Sequence, residues 1–217
     1  MKLNEKYVIS INRELGSGGR TVGEKLAQRL GVVFYDKALI KALTEHYNLT
    51  VEEIERLKGK NSSWWTDFAR HIIPFYDVSK LKYYQVTSDN TDEKLRTTEE
   101  MFKVETRILT DIANGESCVV AGRSGFFIFR NIPNHLSVLI QAPMKDRIER
   151  VMRKQEMDAA DAQNLIERVD RMRENYINRY TGTSRYNTRN YDLVINMVDL
   201  TEDDAVDIIM DYIEKQQ

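Results

Sequence analysis

The sequence predicts an α/β fold built on a five-stranded, largely parallel sheet, and three observations carry that prediction. Five short apolar runs recur along the chain, at residues 7–11, 32–35, 117–121, 136–141 and 193–196. Helical patterns separate them, which leaves room for crossovers that keep successive strands parallel and cover both faces of the sheet. The first run passes into a glycine-dense loop, Gly16-Ser17-Gly18-Gly19, and that loop opens an amphipathic helix.

The first strand is read from Val8, Ile9 and Ile11. From Arg20 onward Val22, Leu26, Ala27 and Leu30 fall on one helical face, and Gly31 is a C-cap that hands the chain to the second strand. About eighty residues without a strand signal follow. Within them 51–58 looks helical, Asn61-Ser62-Ser63 marks a break, and 64–76 is aromatic-rich up to Pro74 and includes Trp64 and Trp65. Residues 87–92 read as loop. A strong helix runs from Thr97 to about Ala113, with Met101, Val104, Ile108, Leu109 and Ile112 on its buried side. Residues 48–96 are therefore expected to form a helical, substrate-binding insertion in a single domain spanning 1–217; the other reading is an extra helical layer with no ligand role.

The third strand carries Cys118, the only cysteine, which excludes an intrachain disulfide and reads as a buried strand residue. The last helix begins near Thr201, with Glu202, Asp203 and Asp204 in its first turn and Ala205, Ile208, Ile209, Tyr212 and Ile213 on its apolar face.

At 217 residues with 41% hydrophobic content, the chain has material for one sizeable core. A net charge of −2 argues against a nucleic-acid-binding domain. No stretch is long enough to cross a membrane, and the N-terminal residues lack the apolar core of a signal peptide, so a cytoplasmic location is expected. His46, His71 and His135 show no metal-ligand spacing.

Strand, glycine loop and helix in that order form a phosphate cradle. Glycines let backbone N–H groups converge on an anion, and the helix N-terminus adds partial positive charge. The P-loop signature G-x-x-x-x-G-K-[ST] fits in either of two registers. In one, Gly19-Arg20-Thr21 falls on G-K-T, with Glu14 at the first glycine and Arg20 for lysine. Counted back from the helix, Gly18 takes the glycine place and Gly19 the lysine place.

In open parallel sheets ligands bind outside the carboxyl ends of the strands. The residues there are Asn12, Arg13 and Glu14; Asp36 and Lys37; Gly122, Arg123 and Ser124; and Ala142 and Pro143. A second concentration of charge, an arginine-rich lid region at 145–189, holds Arg147, Arg150, Arg153, Arg168, Arg171, Arg173, Arg179, Arg185 and Arg189. Phosphoryl transfer uses such groups because bidentate arginines stabilise charge spread over the moving phosphoryl oxygens. The alternative is surface ion pairing with Glu149, Glu156, Glu167, Asp170 and Glu174. Tyr176, Tyr180 and Gly182 close the segment.

Taken in order, these blocks resemble the cytidylate kinase-like family of P-loop proteins, relatives of the nucleoside monophosphate kinases. The resemblance rests on RELGSGGRTVGEKLA (13–27), FYDKALI (34–40), CVVAGRSGFFIF (118–129), APMKDRIERVM (142–152), RENYINRYTG (173–182) and NYDLVINM (190–197). It implies a three-layer P-loop kinase fold with an acceptor-binding region after the second strand and an arginine-bearing lid after the fourth. Gly16, Ser17, Gly18, Gly19, Arg20 and Thr21 would hold the phosphates of ATP, with Thr21 also toward Mg2+. Arg123, with Ser124 beside it, would bind the acceptor, and Arg153, Arg168 and Arg171 would stabilise the transferred phosphoryl group, with Arg20 as the catalytic cation of the loop. Asp36, from its place after the second strand, is a candidate to contact the acceptor or act as base; the alternative is a cap on a helix starting near Lys37. Ser124 stands where the true cytidylate kinases carry an aspartate, and Met172 and Asn175 stand at positions that select cytidine. The expected function is ATP-dependent phosphoryl transfer to a small molecule, with a nucleoside monophosphate first among acceptors. The alternatives are a nucleotide-binding regulatory protein without turnover and another P-loop transferase. No nucleic-acid or membrane partner is expected, and a homodimer is left open.

Overall fold

The computed structural model describes residues 1–36, 91–122 and 124–216, with backbone alone for 91–101 and 104. The expectations for 51–58, for 64–76 with both tryptophans, for His46, His71 and Lys37, and for all of the 48–96 insertion before residue 91 lie outside the described residues. So does Arg123. The chain divides into two compact units, Met1–Tyr35 with Ser117–Gln217, and Asp36–Glu116.

The first unit holds all five strands: β1 (Val8–Arg13), β2 (Val33–Tyr35), β3 (Cys118–Ala121), β4 (His135–Gln141) and β5 (Leu193–Asn196). They pair in the order β2-β3-β1-β4-β5, and every pairing is parallel. Its helices are α1 (Gly19–Leu30), the short α3 (Gly125–Ile128), α4 (Met144–Gln155), α5 (Ala159–Thr181) and α6 (Glu202–Glu214). The second unit contains α2 (Thr91–Gly115).

Strand β1 is central, and Val8, Ile9 and Ile11 are fully buried. Ile9 and Ile11 join Val138 and Ile140 of β4, Val22, Leu26 and Ala27 of α1, and Ala205, Val206, Ile209 and Ile213 of α6 in one apolar core. Each such side chain contributes about 1.5–3 kcal/mol by leaving water, which fixes α1 and α6 on this face. The opposite face is more polar. Ser10 and Ser137 sit side by side in the β1–β4 register, and His135 Nε2 lies 2.8 Å from Ser10 Oγ. Gly125 lets α3 approach this face, because a Cβ there would meet the Ser10 Cβ at 2.8 Å.

The five strands occur where the apolar runs place them, with β1 extended to Arg13. Gly31 ends α1 at φ 67°, its N–H returning to the last turn. Thr201 caps α6 through a complete capping box with Asp204. Two expectations are corrected. Helix α2 starts at Thr91 and not Thr97, so Thr91 and Asp92 are helical; the acidic Asp92 and Glu93 suit a first helical turn and outweigh the polar, loop-like composition. On α6 Ile208 is exposed and Val206 is buried instead, while Ala205, Ile209 and Ile213 stay buried, so the apolar face is turned only slightly toward Val206. In α2 Ile108, Leu109 and Ile112 are buried as the periodicity requires, together with Ala113.

Candidate active site

Beyond Arg13, at the carboxyl end of β1, the chain turns back and enters α1 at Gly19. Ser17 shapes the turn: its N–H and its buried Oγ both donate to the Glu14 carbonyl, at 3.4 and 3.0 Å. Gly16 and Gly18 both take φ 84°, in the left-handed region that side chains rarely adopt. A Cβ on Gly16 would meet the Arg147 carbonyl oxygen at 2.7 Å. Gly18 is the N-cap of α1, with no side-chain cap and no acidic residue in the first turn. The first N–H groups of α1 thus lack a capping anion of their own at the carboxyl end of the central strand, where an external anion is favoured.

Because α1 starts at Gly19, directly after the positive-φ Gly18, the loop takes the register counted from the helix. Gly19 occupies the lysine place. A Cβ there would lie 2.5 Å from the Arg13 Cβ and 3.0 Å from the Ile140 Cβ, so no side chain fits. Arg20 runs along α1 instead, 3.1 Å from Glu24 and with its guanidinium carbon 5.9 Å from the Phe34 ring centre. Thr21 is half-buried in the first turn of α1.

The arginines of 145–189 divide into two groups. Arg153, Arg168 and Arg171 are exposed on α4 and α5. Arg147, Arg150, Arg173 and Arg185 reach the glycine loop. Arg147 Nε donates to the Leu15 carbonyl at 2.8 Å, and its guanidinium pairs with Asp170 and, at 3.5 Å, with Glu14. Arg185 is fully buried, donates to the Arg13 carbonyl and lies 3.4 Å from Asp170. Arg173 stands 3.4 Å from that carbonyl and 3.6 Å from Asp170. The Arg150 guanidinium carbon lies 3.2 Å from the place a Gly18 Cβ would take, and the side chain pairs with Glu202 at the start of α6.

Helix phase was the signal for this second group. On α5 Ala162, Ile166, Asp170 and Ile177 are the buried positions, with Arg173 half-buried beside them, so the apolar stripe itself marks Asp170 and Arg173 as inward. Burial pushes the Arg185 pKa down, and the neighbouring Arg173 adds to this; Asp170, Tyr186 and Tyr191 oppose it. Tyr191 accepts from Asn12 and donates to the Arg185 carbonyl at 2.7 Å. Burial drives its phenol up to about 12, so it stays protonated.

Of the expected acceptor residues, Asp36 is buried and is the first residue of the second unit. Ser124 is buried at φ 56°, and its hydroxyl has no partner among the described residues. Before it, Gly122 at φ 80° leaves its Cβ space to the Arg13 guanidinium. Met172 and Asn175 are exposed on α5. Among the described residues no group of three His, Cys, Asp or Glu side chains forms a metal site, and no helix is long and apolar enough to cross a membrane.

Residues 8–199 match the model of the cytidylate kinase-like family. Across 97% of both chain lengths or more, the structure is similar to that of an uncharacterized protein from Eubacterium ventriosum, with 25% identity and a TM-score of 0.69. A shikimate kinase from Bacteroides thetaiotaomicron shares the fold at 14% identity and a TM-score of 0.50, covering 96% of this chain and 98% of that one. An S-adenosylmethionine-dependent nucleotide dehydratase from Lacinutrix mariniflava is 25% identical over 212 residues, which is 97% of this chain. A uronate isomerase from Corynebacterium glutamicum is 31% identical over 111 residues, 51% of this chain. The chain spans 36% and 21% of the lengths of these two curated relatives.

Proposed function

The chain belongs to the cytidylate kinase-like family, and we propose that it transfers the γ-phosphoryl group of ATP to a small-molecule acceptor, a nucleoside monophosphate first. One observation carries this reading. A loop with two positive-φ glycines leads, at the carboxyl end of the central strand, into a helix N-terminus that has no side-chain cap from Gly18 and only a 3.5 Å contact from the Gly19 N–H to the Ser17 hydroxyl. A side chain at Gly16 would clash with the Arg147 backbone, so the close packing of the loop against the start of α4 requires glycine there. The nucleotide named in the Lacinutrix mariniflava relative supports a nucleotide as the acceptor class.

In this reading Gly16, Ser17, Gly18 and Gly19 present backbone amides to the phosphates of ATP. Thr21, half-buried in the first turn and one residue beyond the Ser/Thr place of the helix-counted register, is assigned to offer its hydroxyl toward Mg2+. Bound magnesium neutralises charge on the phosphate oxygens as the leaving group departs. Arg20 supplies the cation that a lysine supplies elsewhere. Arg153, Arg168 and Arg171, exposed on α4 and α5, stabilise the transferring group in this reading, while Asp36, Arg123 and Ser124 bind the acceptor. Catalysis is then positioning and charge stabilisation without a covalent intermediate. Ser124, Met172 and Asn175 replace the residues that select cytidine, which favours an acceptor base other than cytosine.

A second reading, nucleotide binding without turnover, draws on the filled lysine place at Gly19. Transfer of labelled γ-phosphate from Mg·ATP to a panel of ribo- and deoxynucleoside monophosphates separates the two. A labelled diphosphate that disappears in Arg123→Ala supports the kinase and names its acceptor. No transfer, with ATP still raising the melting temperature, favours the binding protein. Neither transfer nor stabilisation overturns both readings.

A further inference from the structure

Asp170 sits within one turn of the exposed arginines Arg168 and Arg171 of α5 but faces the glycine loop. Its side chain is 10% exposed. One carboxylate oxygen accepts the Leu15 N–H at 3.1 Å and lies 3.4 Å from Arg185 and 3.6 Å from Arg173; the other pairs with Arg147. The same three arginines reach the loop backbone. Arg147 holds the Leu15 carbonyl, while Arg185 and Arg173 converge on the Arg13 carbonyl. Three backbone groups at the entrance to the loop, the Arg13 C=O and the Leu15 N–H and C=O, are thus fixed by Asp170 or by a guanidinium that Asp170 pairs with.

We infer that Asp170 is a positioning residue that sets the shape of the glycine loop and ties it to the arginine-bearing helix α5. Its consequence for nucleotide binding rests on the phosphoryl-transfer reading; its effect on the loop does not. Leu15 adjoins Gly16, and the direction of the Gly16 and Gly18 peptide groups follows from where Leu15 is held. Without the carboxylate, Arg147, Arg173 and Arg185 lose the counter-charge they share in a buried site, where Glu14 at 3.5 Å pairs with Arg147, and the Leu15 N–H loses its charged acceptor. Helix α5 also carries Arg168 and Arg171 within one turn of Asp170. Loop shape and arginine placement therefore change together, which a carboxylate serving only as core packing would not produce.

The test uses Asp170→Asn, which keeps shape and removes charge, Arg147→Lys, which keeps charge and removes the Nε contact to Leu15, and the exposed control Glu167→Gln. Hydrogen exchange of the 14–19 segment and calorimetric affinity for Mg·ATP are read together, with exchange of β1 and β4 amides reporting the fold. Asp170→Asn is expected to exchange at 14–19 at least tenfold faster and to bind Mg·ATP at least tenfold more weakly, with β1 and β4 protection retained. Arg147→Lys shifts both in the same direction by less, and Glu167→Gln shifts neither. Unchanged exchange at 14–19 in Asp170→Asn overturns the inference; if that variant does not fold, unchanged exchange in Arg147→Lys overturns it. Faster loop exchange with unchanged Mg·ATP affinity overturns the link to the nucleotide. A wild-type protein without affinity for Mg·ATP overturns the phosphoryl-transfer reading, and the exchange result still decides the role of Asp170.

Discussion

The Cβ that Gly19 lacks would stand 2.5 Å from the Cβ of Arg13, with the Ile140 Cβ at 3.0 Å on the other side. The last turn of β1 and the first turn of α1 are packed so closely that the usual lysine of a phosphate loop has no space in this chain. Gly19→Lys, which puts a lysine at that place, is expected to lower stability by about 1–3 kcal/mol through overpacking. Phosphoryl transfer should not rise. Chemical denaturation and the labelled-phosphate assay check the two halves. A stable Gly19→Lys variant would mean that β1 and α1 part easily here.

Two glycines with positive φ separate backbone conformation from steric contact. Gly31, at φ 67°, has open space where a Cβ would go, so Gly31→Ala meets only the left-handed penalty of about 1–2 kcal/mol. Gly16, at φ 84°, adds a backbone clash with Arg147 to the same penalty. Gly16→Ala should cost more than Gly31→Ala by urea denaturation and should weaken Mg·ATP affinity, which Gly31→Ala leaves unchanged.

Strand positions were readable because each is a compact apolar run, and the loop because glycines at that spacing have few other uses. Gly31 and Thr201 announced themselves as caps by chemistry alone. The arginine cluster was harder to read. Arg153, Arg168 and Arg171 are spaced like a phosphate clamp but point to solvent, whereas Arg147 and Arg185 turn inward to a carboxylate 23 and 15 residues away, which Arg173 meets from three residues along the same helix. Local spacing does not report which guanidinium finds a distant partner. The apolar stripe of α5 does, because Asp170 shares it. The start of α2 was missed for a related reason: Thr91 and Asp92 have loop composition, and the same residue types also begin helices.

His135 gives the protein a defined acid sensitivity. Burial lowers its pKa from 6.5 to about 4, against a smaller opposing pull from Asp192, and Ser10 shares a hydrogen bond with its neutral ring. The unfolded chain takes up a proton near pH 6.5 and the folded chain only near pH 4. Stability from this group is therefore fully present above pH 6.5 and is lost as pH falls through that window, by about 3 kcal/mol in all. His135→Asn should flatten the pH dependence of unfolding free energy between 6.5 and 4. An unchanged slope would assign the loss to other groups.

The capping box at Thr201 is the next local test. Its hydroxyl accepts the Asp204 N–H at 3.1 Å, and the Asp204 carboxylate accepts the Thr201 N–H at 2.8 Å. Thr201→Ala should cost about 0.5–2 kcal/mol in the melting of the whole domain, since α6 packs on the central core. The Thr201 hydroxyl also lies 2.6 Å from the Asp204 carboxylate, and that bond, followed by the one from the Thr201 N–H, holds the Asp204 pKa below its ordinary value. The cap contributes fully above the ordinary aspartate range and is lost as pH falls below it, so the difference between wild type and Thr201→Ala should narrow in acid.

Arg20 carries the functional prediction. Its pair with Glu24 joins side chains 40% and 50% exposed one helical turn apart, and such a pair is worth about 0.3–0.5 kcal/mol. A polyphosphate at the N-terminus of α1 offers charge-assisted, bidentate bonds that exceed this, so the guanidinium can exchange Glu24 for phosphate at small cost. Arg20→Met is expected to lower phosphoryl transfer at least tenfold while moving the melting temperature by no more than about 2 °C. Glu24→Gln, which removes that pair, should leave transfer equal or faster. Should Arg20→Met turn over like the wild type, the cation comes from another arginine at the loop. Arg150, beside Gly18 and held by Glu202, is then the side chain to replace next.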